Sequence, residues 1–170
     1  MNKAGLLFAD IFNDILEAHL LEVGSLNVNG SLREVLPVDF GIDMRDGDGV
    51  DSVCLAEDLP TKHPGPWGAI ACANMLEHAE HWDKVMKGMW DVLAPNGLLL
   101  LITCNQYKAL HGYPNDYWRF DQLFFRQMFK GQFLYAIATI GFSECVIVQK
   151  VTDKLNLNLT PLPIKFKATP

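Results

Sequence analysis

The chain reads as an α/β domain on an open, mostly parallel sheet, and three observations predict it. Short apolar runs with strand character alternate with stretches of helical spacing. One run, Leu98 to Thr103, is so continuously apolar that it suits the centre of a parallel sheet covered on both faces. The turn Glu22-Val23-Gly24-Ser25 ends a first strand, and about 20 residues later a second strand ends on Asp43. In sheets of this kind a glycine turn lets backbone approach a ligand closely, and an acid at the end of strand two can accept from both ribose hydroxyls.

Each element follows in order. Residues 4 to 18 place Leu7, Phe8, Ile11, Phe12, Ile15 and Leu16 against Asp10, Asn13, Asp14 and Glu17, the pattern of an amphipathic helix that covers the sheet or a ligand. Strand 1 (19 to 23) and strand 2 (38 to 42) are far enough apart for a parallel crossover through a short helix near Ser31 to Leu36, which Pro37 stops. Strand 3 falls at Ser52 to Leu55. After the breakers Lys62-His63-Pro64-Gly65-Pro66, strand 4 runs to Ala73. A helix follows, with Trp82, Val85, Met86, Met89, Trp90 and Leu93 as its buried stripe and Asp83 paired to Lys87 outside. Pro95-Asn96-Gly97 turns the chain into strand 5. A long loop spans Cys104 to Phe120, Asp121 caps a short helix to Phe129, and 133 to 148 forms a terminal hairpin or a helix and strand. From Thr152 the spacing of Leu155, Leu157 and Leu159 indicates an extended tail that folds back on its own sheet or adds a strand to a neighbour. The division expected is one domain over 1 to 151 and a tail over 152 to 170.

Composition narrows the function. The 170 residues are 49% hydrophobic and 20% charged, which describes one soluble domain with a substantial core. A net charge of −6 argues against nucleic acid as a partner, and Lys154, Lys165 and Lys167 read as a solvated face. Cys54, Cys72, Cys104 and Cys145 are scattered without a Cys-x-x-Cys pair, so reduced thiols are expected rather than a disulfide or zinc framework. The longest apolar run is too short for a membrane span. The expectation is a cytoplasmic protein, monomer or homodimer, with no membrane partner.

Three ordered strings carry a family resemblance. They are the Glu22-to-Ser25 turn with Asp43, then Asn74-Met75-Leu76-Glu77-His78, then Val92-Leu93-Ala94-Pro95-Asn96-Gly97 leading into Leu98 to Thr103. Together they resemble class I S-adenosylmethionine-dependent methyltransferases of the type 11 family, over roughly residues 20 to 119. Two further strings, Gly24-Ser25-x-x-Val28-Asn29-Gly30-Ser31 and Gly41-Ile42-Asp43-Met44-Arg45-x-Gly47-x-Gly49-Val50-Asp51, resemble a narrower branch. The resemblance implies a Rossmann-like three-layer sandwich with a mostly parallel seven-stranded sheet and a final antiparallel strand. It implies S-adenosyl-L-methionine as cofactor, S-adenosyl-L-homocysteine as product, and a small-molecule acceptor such as a sugar or other metabolite.

Carried onto this chain, the donor site comprises Glu22 for the ammonium group, Gly24 and Ser25 for the amino acid end, Asn29 and Gly30, Asp43 for the ribose, Met44, Ala56 and Glu57 by their backbone at adenine, and Asn74. Two positions depart from the class pattern: Leu26 stands where many members have a second glycine, and Leu55 where an Asp commonly faces adenine. A sulfonium methyl is already activated, so the protein mainly aligns it and excludes water.

For proton removal the candidates are His111, Asp116 and His78. In the loop His111 to Phe120, one reading turns His111, Tyr113 and Asp116 to the acceptor. The other pairs Asp116 with Arg119 as a lock while Tyr117, Trp118 and Phe120 plug the core. His63 has no assigned role. The string Glu77-His78-Ala79-Glu80-His81 lacks the His-Glu-x-x-His spacing of a zincin, so no metal is expected. The alternatives are a non-catalytic module that keeps the cofactor or its product, and a nicotinamide-dependent oxidoreductase, which Leu26 and Asn29 disfavour at the second and third glycine positions.

Overall fold

The structure is a computed structural model that describes residues 3–16, 19–111, 115–159 and 164–165. Glu17 and Ala18 of the expected first helix, Tyr113 of the loop and most of the tail after Leu159 lie outside the described residues. In chain order the elements are α1 (Lys3–Ile11), β1 (Leu20–Val23), β2 (Val38–Asp43), β3 (Ser52–Val53), α2 (Leu59–Lys62), β4 (Trp67–Ala73), α3 (Trp82–Val92) and β5 (Leu93–Cys104). Then come β6 (Trp118–Arg119), α4 (Gln122–Met128), β7 (Phe133–Ile140), β8 (Ser143–Gln149) and β9 (Ile164–Lys165).

Seven strands pair in the order β3-β2-β1-β4-β5-β8-β7, the first five mutually parallel and β8 antiparallel to both its neighbours. This is the mostly parallel sheet with one reversed strand that the sequence predicts. The two-residue side-chain period divides it cleanly. Leu21, Val23, Ile70, Cys72, Leu99, Leu101, Val146 and Val148 face a core built from α3 and α4, with Trp82, Met86, Met89, Phe125 and Met128. Leu20, Ala69, Ala71, Leu98, Leu100, Ile102 and Ile147 face the other way, onto Phe8, Ala9, Leu16, Leu32 and Leu36. The central strands β4, β5 and β8 are therefore apolar on both sides, which explains the uninterrupted run in β5.

Several local readings change. The first helix stops at Ile11 and gives way to a 3-10 turn over Asn13–Ile15, where Asn and Asp favour local turns over helix. Phe8, Ala9 and Leu16 are buried, but Leu7, Ile11 and Ile15 are exposed, so the covered stripe is narrower than the apolar pattern. Ser31 and Glu34 form a capping box on a single 3-10 turn rather than on a longer crossover helix. On α3 the expected stripe is buried, but Lys87 pairs with Asp91 one turn onward, not with Asp83. Pro95-Asn96-Gly97 does not separate α3 from its strand. β5 begins at Leu93 opposite Trp67, and the turn is an irregularity inside it, with Asn96 at φ 62°.

A buried lysine ties this corner down. Lys150 Nζ donates to the carbonyls of Trp90 (2.8 Å) and Leu93 (2.9 Å), closing the C-terminal end of α3. Asp121 caps α4 by accepting from the Phe124 N–H at 2.7 Å, as its position predicts. Residues 133 to 149 form the hairpin alternative. The tail folds back on its own chain: Leu159 is buried, Asn156 N–H donates to the Met128 carbonyl at 3.1 Å, and β9 pairs antiparallel with β6.

Candidate active site

The carboxyl ends of β1, β2 and β4 open into a cavity of about 570 Å³, within the range of small-ligand pockets. Its walls include Glu22, Gly24, Ser25, Asn29, Gly30, Asp43, Met44, Ala56, Glu57 and Asn74, so all ten candidate donor-site residues meet there. His78 and His111 line it too. Asp116 does not; it stands behind His111.

Glu22 is the most unusual group. Its side chain is almost fully buried at the end of β1, and Oε2 has no hydrogen-bond partner among the described residues. Burial pushes its carboxyl up to about 7, against the pull of the Arg33 charge and the Leu32 N–H. Ser25 lines the same cavity, and its buried Oγ, packed against Gly41, is also unpartnered among the described residues. Unsatisfied buried oxygens on residues of one cavity wall call for a donor group such as an ammonium.

At the end of β2, Asp43 accepts from the Arg45 N–H at 2.9 Å through Oδ1, with the Arg45 side chain 3.9 Å away. Arg45, two residues beyond the ribose candidate, has no role in the sequence-based expectation and lies beside Asp43 in the cavity wall. Gly24 does not offer its N–H to the cavity, since that group donates to the Ile42 carbonyl at 2.8 Å. Its need for glycine comes from Met75: a Cβ on Gly24 would lie 2.7 Å from the Met75 Cβ, and φ is +83°. The departures from the class pattern also have places. Leu26 lies over Gly47, in the space that a Cβ there would take, and Leu55 is a half-exposed wall residue.

The strings 24 to 31 and 41 to 51 are halves of one clasp. Asn27 donates its backbone N–H to the Asp48 carbonyl (2.9 Å) and its amide to the Asp48 carboxylate (2.8 Å). Asn27 Oδ1 accepts from the Gly30 N–H at 3.0 Å. Asp51 accepts from the Gly41 N–H at 2.7 Å and pairs with Arg33. Gly49 passes so close to the Ser25 carbonyl that a Cβ would sit 2.6 Å from it. The loop after β1 is thus fastened to the loop after β2, which shapes the cavity wall between Glu22 and Asp43.

At the other end, the loop after β5 is locked. Arg119 donates two hydrogen bonds to Asp116 and others to the carbonyls of Lys108, Ala109 and Trp118. Trp118 Nε1 donates to the Ala79 carbonyl at 2.8 Å, and Phe120 is buried among Trp82, Phe124 and Phe125. This is the lock-and-plug reading for Arg119, Trp118 and Phe120. Burial alone would raise the Asp116 carboxyl, but the Arg119 hydrogen bonds and the His111 N–H together hold it below its ordinary value.

Asp116 Oδ2 also lies 3.0 Å from His111 Nδ1. A carboxylate kept ionised fixes the proton on Nδ1 and leaves Nε2 as the basic nitrogen. His78 Nδ1 likewise donates to the Asn115 carbonyl, and the two imidazoles meet edge to face at 5.2 Å.

No protein-family model matches the sequence, and no curated protein matches it. The fold is similar to several solved structures. One is 1,6-didemethyltoxoflavin-N1-methyltransferase from Burkholderia thailandensis, solved with 1,6-didemethyltoxoflavin and S-adenosylhomocysteine; TM-score 0.66, identity 9%, covering 89% of this chain and 80% of that one. Magnesium protoporphyrin IX methyltransferase from Synechocystis PCC 6803, solved with S-adenosylmethionine, has TM-score 0.55 and 11% identity, over 85% of this chain and 76% of that one. A methyltransferase from Aquifex aeolicus dependent on S-adenosylmethionine has TM-score 0.53 and 15% identity, over 78% and 82%. At these identities the likeness establishes the Rossmann-like methyltransferase fold.

Proposed function

We propose that this chain is an S-adenosylmethionine-dependent methyltransferase acting on a small-molecule acceptor, in the type 11 family to which its motifs point. The observation that carries the reading is the pair of carboxylates, Glu22 and Asp43, on the wall of one cavity at the strand ends, with Glu22 Oε2 unsatisfied. The fit of the donor rests on that orphaned oxygen and on Ser25 Oγ, which suit a cationic amino acid end. When bound, the donor supplies an electrophilic methyl group.

The residues of the chain do the rest. Glu22 and Ser25 would hold the ammonium end, Asp43 would accept from the sugar diol, and Met44, Leu55, Ala56 and Glu57 would flank the base. His111 removes the acceptor proton through Nε2, and Asp116 is its positioning residue, holding Nδ1 and steadying the imidazolium that forms. His78 completes the wall beside the acceptor. An acceptor oxygen is favoured, because a hydroxyl needs a base where an already ionised group does not.

One observation keeps a second reading in view. Leu55 lines the cavity where many class members carry an Asp, so a module that binds the cofactor and does not turn it over would look the same there. Calorimetric titration with S-adenosylmethionine and S-adenosylhomocysteine, followed by mass-spectrometric assay over hydroxyl-bearing acceptors, separates the two. Binding with methylated product supports the enzyme, binding with no product from any acceptor supports the module, and no binding removes both.

A further inference from the structure

At the edge of this cavity His111 belongs to a cluster whose other two members, Glu77 and Cys104, have no part in the proposed methyl transfer. Glu77, in the turn after β4, Cys104, the last residue of β5, and His111, in the loop beyond it, each place one ligand atom within 4.8 Å of the others. Glu77 is fully buried; Oε2 accepts from Thr103 Oγ1 at 2.7 Å, and Oε1 has no hydrogen-bond partner among the described residues. The Arg119 charge acts on Glu77 and Cys104 from nearby, while Arg119 donates hydrogen bonds to Asp116 and to the carbonyls of Lys108, Ala109 and Trp118.

We propose that Glu77, Cys104 and His111 form a binding site for a thiophilic divalent cation of the zinc class, with its remaining coordination position toward the cavity that His111 lines. Sulfur, imidazole nitrogen and carboxylate oxygen are the three donors that zinc accepts, and a three-ligand set leaves a fourth position open. The Asp116 carboxylate, 3.0 Å from His111 Nδ1, holds the ring in the orientation that such a histidine ligand needs. On binding, Cys104 releases its proton to solvent and its sulfur lone pair goes to the metal, so the cation adds two positive charges where Glu77 and the new thiolate supply two negative ones. The sequence hid the site because its residues come from the turn after β4, the end of β5 and the loop beyond it, not from one helix.

The cation competes with proton transfer. A neutral imidazole has one basic lone pair, and His111 cannot give it to a metal and to a proton together. Metal-loaded chain is therefore slower in methyl transfer. This consequence rests on the function proposed above; the binding itself does not.

The test is titration of the untagged full chain with cobalt(II), read by absorption, with zinc(II) as competitor. One cobalt per chain is expected, with a near-ultraviolet thiolate band that Cys104→Ser removes and Cys145→Ser keeps. Glu77→Gln and His111→Ala are each expected to weaken binding by about tenfold or more. Failure of the wild-type chain to bind cobalt or zinc, or an unchanged band in Cys104→Ser, overturns the proposal. If Cys104→Ser does not fold, His111→Ala still decides, since its side chain is partly exposed, and undiminished binding there overturns the proposal equally.

Discussion

Asp116 and Arg119 form a two-point ion pair in which the side chains are 2% and 0% exposed. Through Asp116 this pair also sets the His111 ring. Breaking a buried pair by removing one partner leaves an unpaired charge, so Arg119→Met is expected to cost about 3–5 kcal/mol. Urea denaturation at neutral pH measures it. Because the Asp116 carboxyl is held low, its contribution is complete at neutral pH and is lost as pH falls below the ordinary carboxylate range.

His111→Ala is expected to lower kcat by about 10²–10⁴-fold on an acceptor that must lose a proton, with donor affinity retained. Asp116→Asn should lower it as well, because the fixed tautomer is lost. Steady-state kinetics on both variants checks this, and an unchanged kcat in His111→Ala would remove His111 as the base.

Glu22 gives a pH signature to the free chain. Its carboxyl is raised from 4.5 to about 7, so the folded state holds the proton more tightly than the unfolded one. Stability is therefore greatest at low pH within this window and falls as pH rises from 4.5 toward 7, by at most roughly 3 kcal/mol. Glu144, also raised to about 7 by burial against its Thr139 hydrogen bonds, adds a slope of the same sign. Glu22→Gln should flatten the melting-temperature profile in part, leaving the Glu144 share.

The clasp predicts a coupling between stability and donor binding. Gly49→Ala forces a Cβ against the Ser25 carbonyl at φ +85°, an expected cost on the order of 1–3 kcal/mol. The same change should weaken donor binding, since the loop that carries Ser25 is displaced. Thermal melts with and without S-adenosylhomocysteine would read both effects.

What the sequence made legible is what depends on local order. The continuous apolar run in β5, the Asp121 cap and the Gly24-to-Asp43 interval are written in neighbouring residues, and each has its expected place in the fold. The breadth of the buried face on α1 was not legible, because periodicity marks apolar residues without saying which of them a sheet reaches. Leu7 and Ile11 are at 65% and 73% exposure for that reason. The purpose of Gly41, Gly47 and Gly49 was hidden too. Their string was recognisable, but its partner, the loop at Asn27, is brought beside it only by parallel pairing of β1 with β2. Glu77 and Cys104 meet through the pairing of β4 with β5 in the same way.

Asp43→Ala is expected to raise the dissociation constant for S-adenosylhomocysteine by about ten- to hundredfold, from the loss of roughly 1.5–3 kcal/mol of hydrogen bonding to a charged group. Calorimetry on the variant measures it directly.

A crystal structure of the chain with S-adenosylhomocysteine tests the donor pocket most directly. The predicted result has the ligand ammonium on Glu22 Oε2 and the ribose hydroxyls on Asp43. A ligand bound elsewhere, or an Asp43 side chain turned away from the sugar, would contradict it.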